Sequence, residues 1–239
     1  MKLPQVLFAA LAAILISGQP AVAVAATFVE NFNDGVLDPS LNLHTDPGFS
    51  LALSAGKALV SKSSGVGNGD LSIITDFTIL GDFVTTVKAD RLNLTGGPAE
   101  MGLRTHHALG FTDVFLIDSN GINANIAVNP GFGFQTLTNS SSPVTLRIRR
   151  VGNSIFEEYD TGSGFQTLHT ATHANLAGPV TIDLFLLQEY GSTAAHSGTF
   201  DDFTITADQI VPEPSSLVLL AGGCWLPMMW YLSRRRKRL

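Results

Sequence analysis

Cysteine is nearly missing from this chain. The single copy, Cys224, lies close to the C-terminus, so a scaffold stapled by internal disulfides is excluded. Tryptophan and tyrosine are scarce, with two and three copies, and Trp225, Trp230 and Tyr231 crowd into the last stretch. The aromatic role in the body therefore falls to phenylalanine, with most of its copies expected in a core, and no aromatic platform for stacking sugars is visible. Basic charge is thin as well. Between Glu30 and Glu213 lie all 20 acidic residues but only eight lysines and arginines, a net charge of −12 that argues against nucleic acid or anionic membrane as partner. Runs with helical periodicity are missing from the body, and no Gly-x-Ser-x-Gly elbow occurs.

What is present begins with two apolar ends. Lys2 supplies a minimal positive region, Val6 to Ile16 form an uncharged apolar run, and Ala21-Val22-Ala23-Val24-Ala25-Ala26 offers small residues to signal peptidase. Gly18 and Pro20 interrupt the run before the alanines, so residues 1–26 are expected to be a cleaved signal peptide and the mature chain to start at Ala26 or Thr27. At the other end, Val211-Pro212-Glu213-Pro214 precedes a nearly uncharged stretch over 215–232 and then Arg234, Arg235, Arg236, Lys237 and Arg238. That stretch is short for a bilayer span, but its aromatics and the arginines extend it by anchoring at the interfaces. Five basic residues behind it place the C-terminus in the cytoplasm and the body on the outer side. The prolines lack amide hydrogens and prefer an extended form, so Pro212-Glu213-Pro214 is expected to be an open, unpaired, cleavable hinge.

This ordered triplet of Pro-Glu-Pro, short apolar helix and terminal arginine cluster, over residues 211–239, resembles the PEP-CTERM sorting signal. The resemblance implies recognition by an exosortase in the inner membrane of a Gram-negative, exopolysaccharide-making host. It also implies transient anchoring there, followed by release to the cell surface or extracellular matrix.

Between the ends, residues 27–210 read as one all-β domain. Val180, Ile182, Leu184 and Leu186 alternate with Thr181, Asp183, Phe185 and Leu187, and Val144, Leu146 and Ile148 alternate with Thr145, Arg147 and Arg149. The first set predicts a central strand with one face in the core, the second a strand with one wet face. Turn signals at Ser119-Asn120-Gly121, Gly152-Asn153-Ser154 and Asp160-Thr161-Gly162-Ser163-Gly164 separate such runs, and about twelve strands fit, the size of an antiparallel sandwich or jelly roll. One echo, Gly131 to Leu137 against Gly162 to Leu168, reads as two turn-then-strand segments rather than a solenoid.

Three segments resemble the concanavalin A-like, laminin-G-type lectin/glucanase sandwiches: Phe28 to Gly35 with Leu37-Asp38-Pro39 as opening strand and turn, Leu146 to Asn153 through Tyr159, Gly162 and Phe165 as central hairpin, and Phe200 to Ile205 as a last strand beside the first. An immunoglobulin-like sandwich is the alternative. The resemblance implies, for the glucanases of this fold, catalytic carboxylates spaced Glu-x-Asp-x-x-Glu, and that spacing is absent. Glu157, Glu158 and Asp160 come nearest, but adjacent glutamates point to opposite faces of a strand, and a solvated hairpin is expected there. His169 and His173 share a face and His106 and His107 are adjacent, without a third metal ligand at a recognisable spacing, so surface or satisfied histidines are expected.

The sequence therefore points to an exported, non-enzymatic envelope or matrix protein that binds glycans. A glycan hydrolase or lyase on the same fold, or a purely structural or adhesive surface protein, is the alternative. One cation site is anticipated: Asp201 shares a strand face with Phe203 and Ile205 at the edge of the core, and Asn33 and Asp34 are placed to complete a structural calcium site with it.

Overall fold

The structure, a computed structural model, describes residues 25–212 apart from 109, 118–120, 129–130, 140 and 190. The expected signal peptide up to residue 24, the expected membrane stretch over 215–232 and Glu213, Pro214 and Arg234 to Arg238 lie outside the described residues. No helix among the described residues is long and apolar enough to cross a membrane.

Fifteen strands, more than the twelve expected, alternate with turns: β1 Ala26–Glu30, β2 Leu41–Thr45, β3 Phe49–Ser54, β4 Lys57–Lys62, β5 Gly69–Thr75, β6 Phe77–Asn93, β7 Ala99–His107, β8 Gly110–Ile117, β9 Gly121–Val128, β10 Gly131–Thr138, β11 Val144–Val151, β12 Ser154–Asp160, β13 Gln166–Thr172, β14 Thr181–Gln188 and β15 His196–Pro212. A short 3₁₀ turn, Ala174–Ala177, precedes β14 and is capped by His173, whose ring accepts the Asn175 amide. The strands form two antiparallel sheets. One runs β13-β12-β11-β6-β15-β4-β3 with β1 beside β15, and the other runs β10-β9-β8-β7-β14-β5-β2.

Strand β15 organises the first sheet. Along one edge it pairs with β6, while its other edge takes β4 at His196–Phe200 and then β1 at Phe203–Ala207, so last and first strands lie side by side as anticipated. A bulge at Asp201 and Asp202 separates the halves, with Asp202 at φ 51°. The extra residue resets the side-chain phase: Phe200 before it and Phe203, Ile205 and Ala207 after it all face the core. Asp201 is thereby turned off the face that buries Phe203 and Ile205, which corrects the expectation that it shares that face.

The core lies between the sheets, where Leu71, Ile73, Val87, Leu103, Val114, Leu146, Ile148, Ile182, Leu184, Phe200 and Phe203 are fully sealed. Each such side chain contributes about 1.5–3 kcal/mol on burial. Strands β11 and β14 follow the alternation read from the sequence, but β14 buries Asp183 and Phe185 on its second face too. The body also extends past residue 210. Val211 pairs with Thr78 and Pro212 with Phe77, so the first half of the Val211-Pro212-Glu213-Pro214 motif closes the sheet instead of hanging open. Proline is tolerated there because the strand ends and no further amide is needed from it.

Candidate functional site

The central strands of the second sheet, β14, β7, β8 and β9, send Ile182, Leu184, Leu103, Thr105, Thr112, Val114 and Ile126 into the core, so the intervening residues project from its outer face. Register aligns these in rows. One row reads Asp183, Arg104, Asp113, Asn125 across β14, β7, β8 and β9, and the next reads Phe185, Gly102, Phe115, Asn123. His106 and Phe111 follow on the same side.

Gly102 is the gap that lets the aromatic row close. A Cβ there would run into Phe115 and the Val114 carbonyl, whereas its absence allows the Phe115 and Phe185 rings to meet edge-on at 6.1 Å. Above them the Arg104 guanidinium lies 4.1 Å from the Phe185 ring centre and 5.1 Å from that of Phe111, and Arg104 Nε donates to Asp113 Oδ2 at 3.1 Å. His106 Nε2 sits 3.2 Å from Asp183 Oδ1, off the line that a hydrogen bond needs. Asp113 and Asp183 are each 1% exposed. Burial pushes the Asp113 carboxyl up to about 7, against the pull of Arg104 beside it, with Glu157 and Asp183 adding to the rise.

Four side-chain oxygens on this face are sealed from solvent and accept nothing among the described residues: Asp113 Oδ1, Asp183 Oδ1, Asn123 Oδ1 and Asn125 Oδ1. Buried polar atoms are ordinarily paired, so four acceptors without a partner on neighbouring strands set this face apart. The exposed Phe134, paired with Asn125, adds an apolar rim. The sequence reading found no aromatic platform; the fold brings phenylalanines of separate strands onto one face, of which Phe115 and Phe185 are buried while Phe111 is half-buried and Phe134 exposed.

Across the sheet, Glu157 and Glu158 do point to opposite sides, but the hairpin is not solvated as expected, for both are buried. Burial works to raise the Glu158 carboxyl, but the hydrogen bonds and charges of Arg147 and Arg149 on the outside together outweigh it and hold the carboxyl below the usual range. Glu157 lies between the sheets with Oε2 3.0 Å from His169 Nδ1, and burial pushes it up to about 7 despite that hydrogen bond. His169 in turn packs on Gly133 of the opposing edge strand, where a Cβ would come within 2.5 Å of the ring. The two echo segments thus end on facing edge strands.

The anticipated calcium residues are engaged separately. Asp34 Oδ1 accepts the Val36 amide, Asp201 Oδ1 accepts the Asp202 amide, and Asn33 Oδ1 packs over Gly56. The buried carboxylate of that loop is Glu30, which accepts the amides of Phe32 and Asp38 and was not singled out from the sequence. Among the described residues, ligand atoms of His44, Asp46 and Asp70 gather within 4.8 Å, at an exposed turn where Asp46 already accepts the Asp70 amide and Asp70 the Ser72 hydroxyl.

Asp113 and Asp183 were also missed. The signal was a shared triplet, Asp113-Val114-Phe115 and Asp183-Leu184-Phe185, in which an acid stands inside an otherwise apolar strand beside an aromatic on the same face.

No protein-family model and no curated protein matches the sequence. Solved structures do match in fold. The chain is similar to the endo-beta-1,3-glucanase from Pyrococcus furiosus (9% identity, TM-score 0.61, covering 75% of this chain and 93% of that one). It is similar also to lectin I-B4 from Griffonia simplicifolia (12%, 0.57, 75% and 98%) and to the exoplasmic/lumenal domain of VIP36 in a Ca2+/Man2-bound form (12%, 0.52, 78% and 95%). The architecture is thus a two-sheet antiparallel jelly roll. Its structural neighbours are concanavalin A-like lectin/glucanase sandwiches, a fold that serves both sugar-binding proteins and glycan-cleaving enzymes.

Proposed function

We propose that this protein is an exported glycan-binding sandwich whose ligand face is the outer face of the β14-β7-β8-β9 strands, and that it binds without cleaving. The observation that carries the reading is the set of four buried, unpartnered acceptors beside Phe111, Phe115, Phe185 and Phe134. A sugar ring offers vicinal hydroxyl donors to such acceptors and an apolar C–H face to the phenylalanines. Arg104, held by Asp113 and stacked between Phe111 and Phe185, is a fixed donor at the centre. Affinity electrophoresis in gels cast with the host's exopolysaccharide tests this. Retardation that Arg104→Ala and Phe134→Ala abolish supports the reading, and no retardation in any soluble glycan sinks it.

The second reading, a hydrolase or lyase, is favoured by one observation: Asp113 is held near 7 while Asp183 sits one strand beyond Arg104, two carboxyls in unequal surroundings. Loss of polymer length on incubation, absent in Asp113→Asn, would establish it over binding alone.

Export rests on the sequence. Signal peptidase would remove residues 1–26, and an exosortase would process the tail after Val211-Pro212-Glu213-Pro214 while Arg234 to Arg238 hold it in the inner membrane. The product then reaches the surface or matrix. Ala26 and Pro212, at the two ends of the described body, line one pocket, which suits a body held through its C-terminal end before release. Fractionation of a host with and without its exosortase is the test. For structural calcium, the reading anticipated at Asn33, Asp34 and Asp201, the test is melting with millimolar calcium against chelator, since a bound ion must raise stability.

A further inference from the structure

Resting on the glycan-binding reading, we propose that the face takes a positively charged amino sugar, whose ammonium seats on Asp183 in place of the His106 ring. The charges on the face are unequal. Arg104 is the single lysine or arginine among its described residues, and its Nε is committed to Asp113 on β8. Asp183 has Ile74 as its register partner on β5 and Arg104 on β7, but the Arg104 Nε is turned to Asp113 and Asp183 Oδ1 accepts no hydrogen bond. A buried carboxylate oxygen without a donor is costly, and the group that stands against this one is the misaligned His106 ring.

The route to it runs through His106. That side chain is 43% exposed, and its one contact of note is the misaligned approach to Asp183, so it can rotate outward without breaking a well-formed hydrogen bond. An ammonium brings three donors and a full charge to the vacated position, where an N-acetyl amide brings one donor and no charge. A uronate would add a third carboxylate to Asp113 and Asp183. Neighbouring hydroxyls of the same sugar then reach the unpartnered oxygens of Asn123, Asn125 and Asp113, and the rings of Phe111 and Phe134 meet its apolar face.

The test is calorimetry of the mature protein, in EDTA, with a glucosamine hexamer, its fully N-acetylated counterpart and a galacturonate hexamer. The glucosamine hexamer should bind about tenfold tighter than the N-acetylated one, the galacturonate weakest. Asp183→Asn should erase that ratio, bringing the glucosamine and N-acetylated hexamers to the same affinity. Asp202→Asn, which removes the same charge from an exposed bulge on the other sheet, should leave the ratio untouched. His106→Ala should tighten the amine. A ratio that survives Asp183→Asn, or falls equally in Asp202→Asn, means diffuse attraction to an acidic surface and overturns the proposal. Binding that requires calcium and vanishes in EDTA overturns it in favour of a metal on the same oxygens. Binding of the N-acetylated hexamer with no preference for the amine overturns it and leaves the glycan reading standing, and no binding of any hexamer overturns it as well, the glycan reading then standing or falling on retardation in other glycan gels.

Discussion

At the scale of single residues, one missing methyl group governs the site. Gly102 leaves room for Phe115 to lean over β7, and Gly102→Ala would drive a Cβ into Phe115 and the Val114 carbonyl, neither of which is a flexible side-chain tip. We expect a loss of about 1–3 kcal/mol in urea unfolding, together with loss of glycan retention, because the Phe115–Phe185 contact is forced apart. Unfolding that matches the parent within error would mean that the strands yield more easily than the packing implies.

The buried ionisable groups set a pH dependence. Glu157 and Asp113 are both pushed up to about 7 by burial, so from their ordinary values to about 7 the folded protein keeps protons that the unfolded chain has released. Their contribution to stability is therefore full below their ordinary values and is lost as pH rises through 7. His107 runs the other way: burial, with Arg150 and His106 adding to it, pushes it down to about 4, so its contribution is present above its ordinary value and is lost as pH falls. Two acids outweigh one histidine, and stability should decline from weakly acid to weakly alkaline solution. Glu157→Gln removes one titration, and its stability relative to the parent should improve across that range by on the order of 3 kcal/mol. Parallel stability curves for the two proteins would show that Glu157 does not hold its proton.

At the scale of elements, the bulge in β15 carries the most weight. The strand must serve β4 and β1 in turn along one edge, and the added residue between Phe200 and Phe203 keeps both rings inside. Deleting Asp202 would restore strict alternation with Asp201 opposite Lys88 and Phe203 opposite Val87, leaving Phe200, Phe203, Ile205 and Ala207 on the core face, so the protein should still fold, with a loss of about 1–3 kcal/mol in urea unfolding from the lost bulge. Recovery of the variant only unfolded or degraded would show that the bulge itself is needed to seat β1. The paired Val211-Pro212 end has a consequence for processing as well. A protease working on the motif must first peel this pair from Thr78 and Phe77. A short Gly-Ser spacer before Val211, which keeps the motif whole and frees it from this pairing, should leave export intact and speed maturation of the precursor in pulse-chase; an unchanged rate would show that the pair does not limit processing.

Much of this element-level picture is legible in the sequence. Alternation in β11 and β14 gives strands with their faces, the Gly152-Asn153 turn gives a hairpin, and the likeness of the ends to lectin-type sandwiches places the last strand beside the first. The site is not legible, for a physical reason. Asp183, Arg104 and Asp113 become neighbours only through the order β14-β7-β8, which periodicity within a strand does not encode. Asp201 was misplaced because counting by twos fails at a bulge, and Glu157 because a hairpin glutamate has no local mark that an opposing sheet covers it.

At the scale of the whole molecule, an acidic body, two closed sheets and one polar, phenylalanine-lined face fit a protein that works in the open among polymers. The net negative charge opposes approach to anionic surfaces, and on the proposed glycan-binding reading attachment falls to the orphan acceptors of one sheet. Whether that face holds glycans is the central claim. The measurement that tests it most directly is a glycan array of the mature protein, run beside the Asp113→Asn, Asp183→Asn double variant. The account predicts selective binding by the parent, strongest on amino-sugar oligomers, and its loss in the double variant while the melting curve stays cooperative. Binding that persists unchanged in the folded double variant would place the ligand elsewhere and contradict the account.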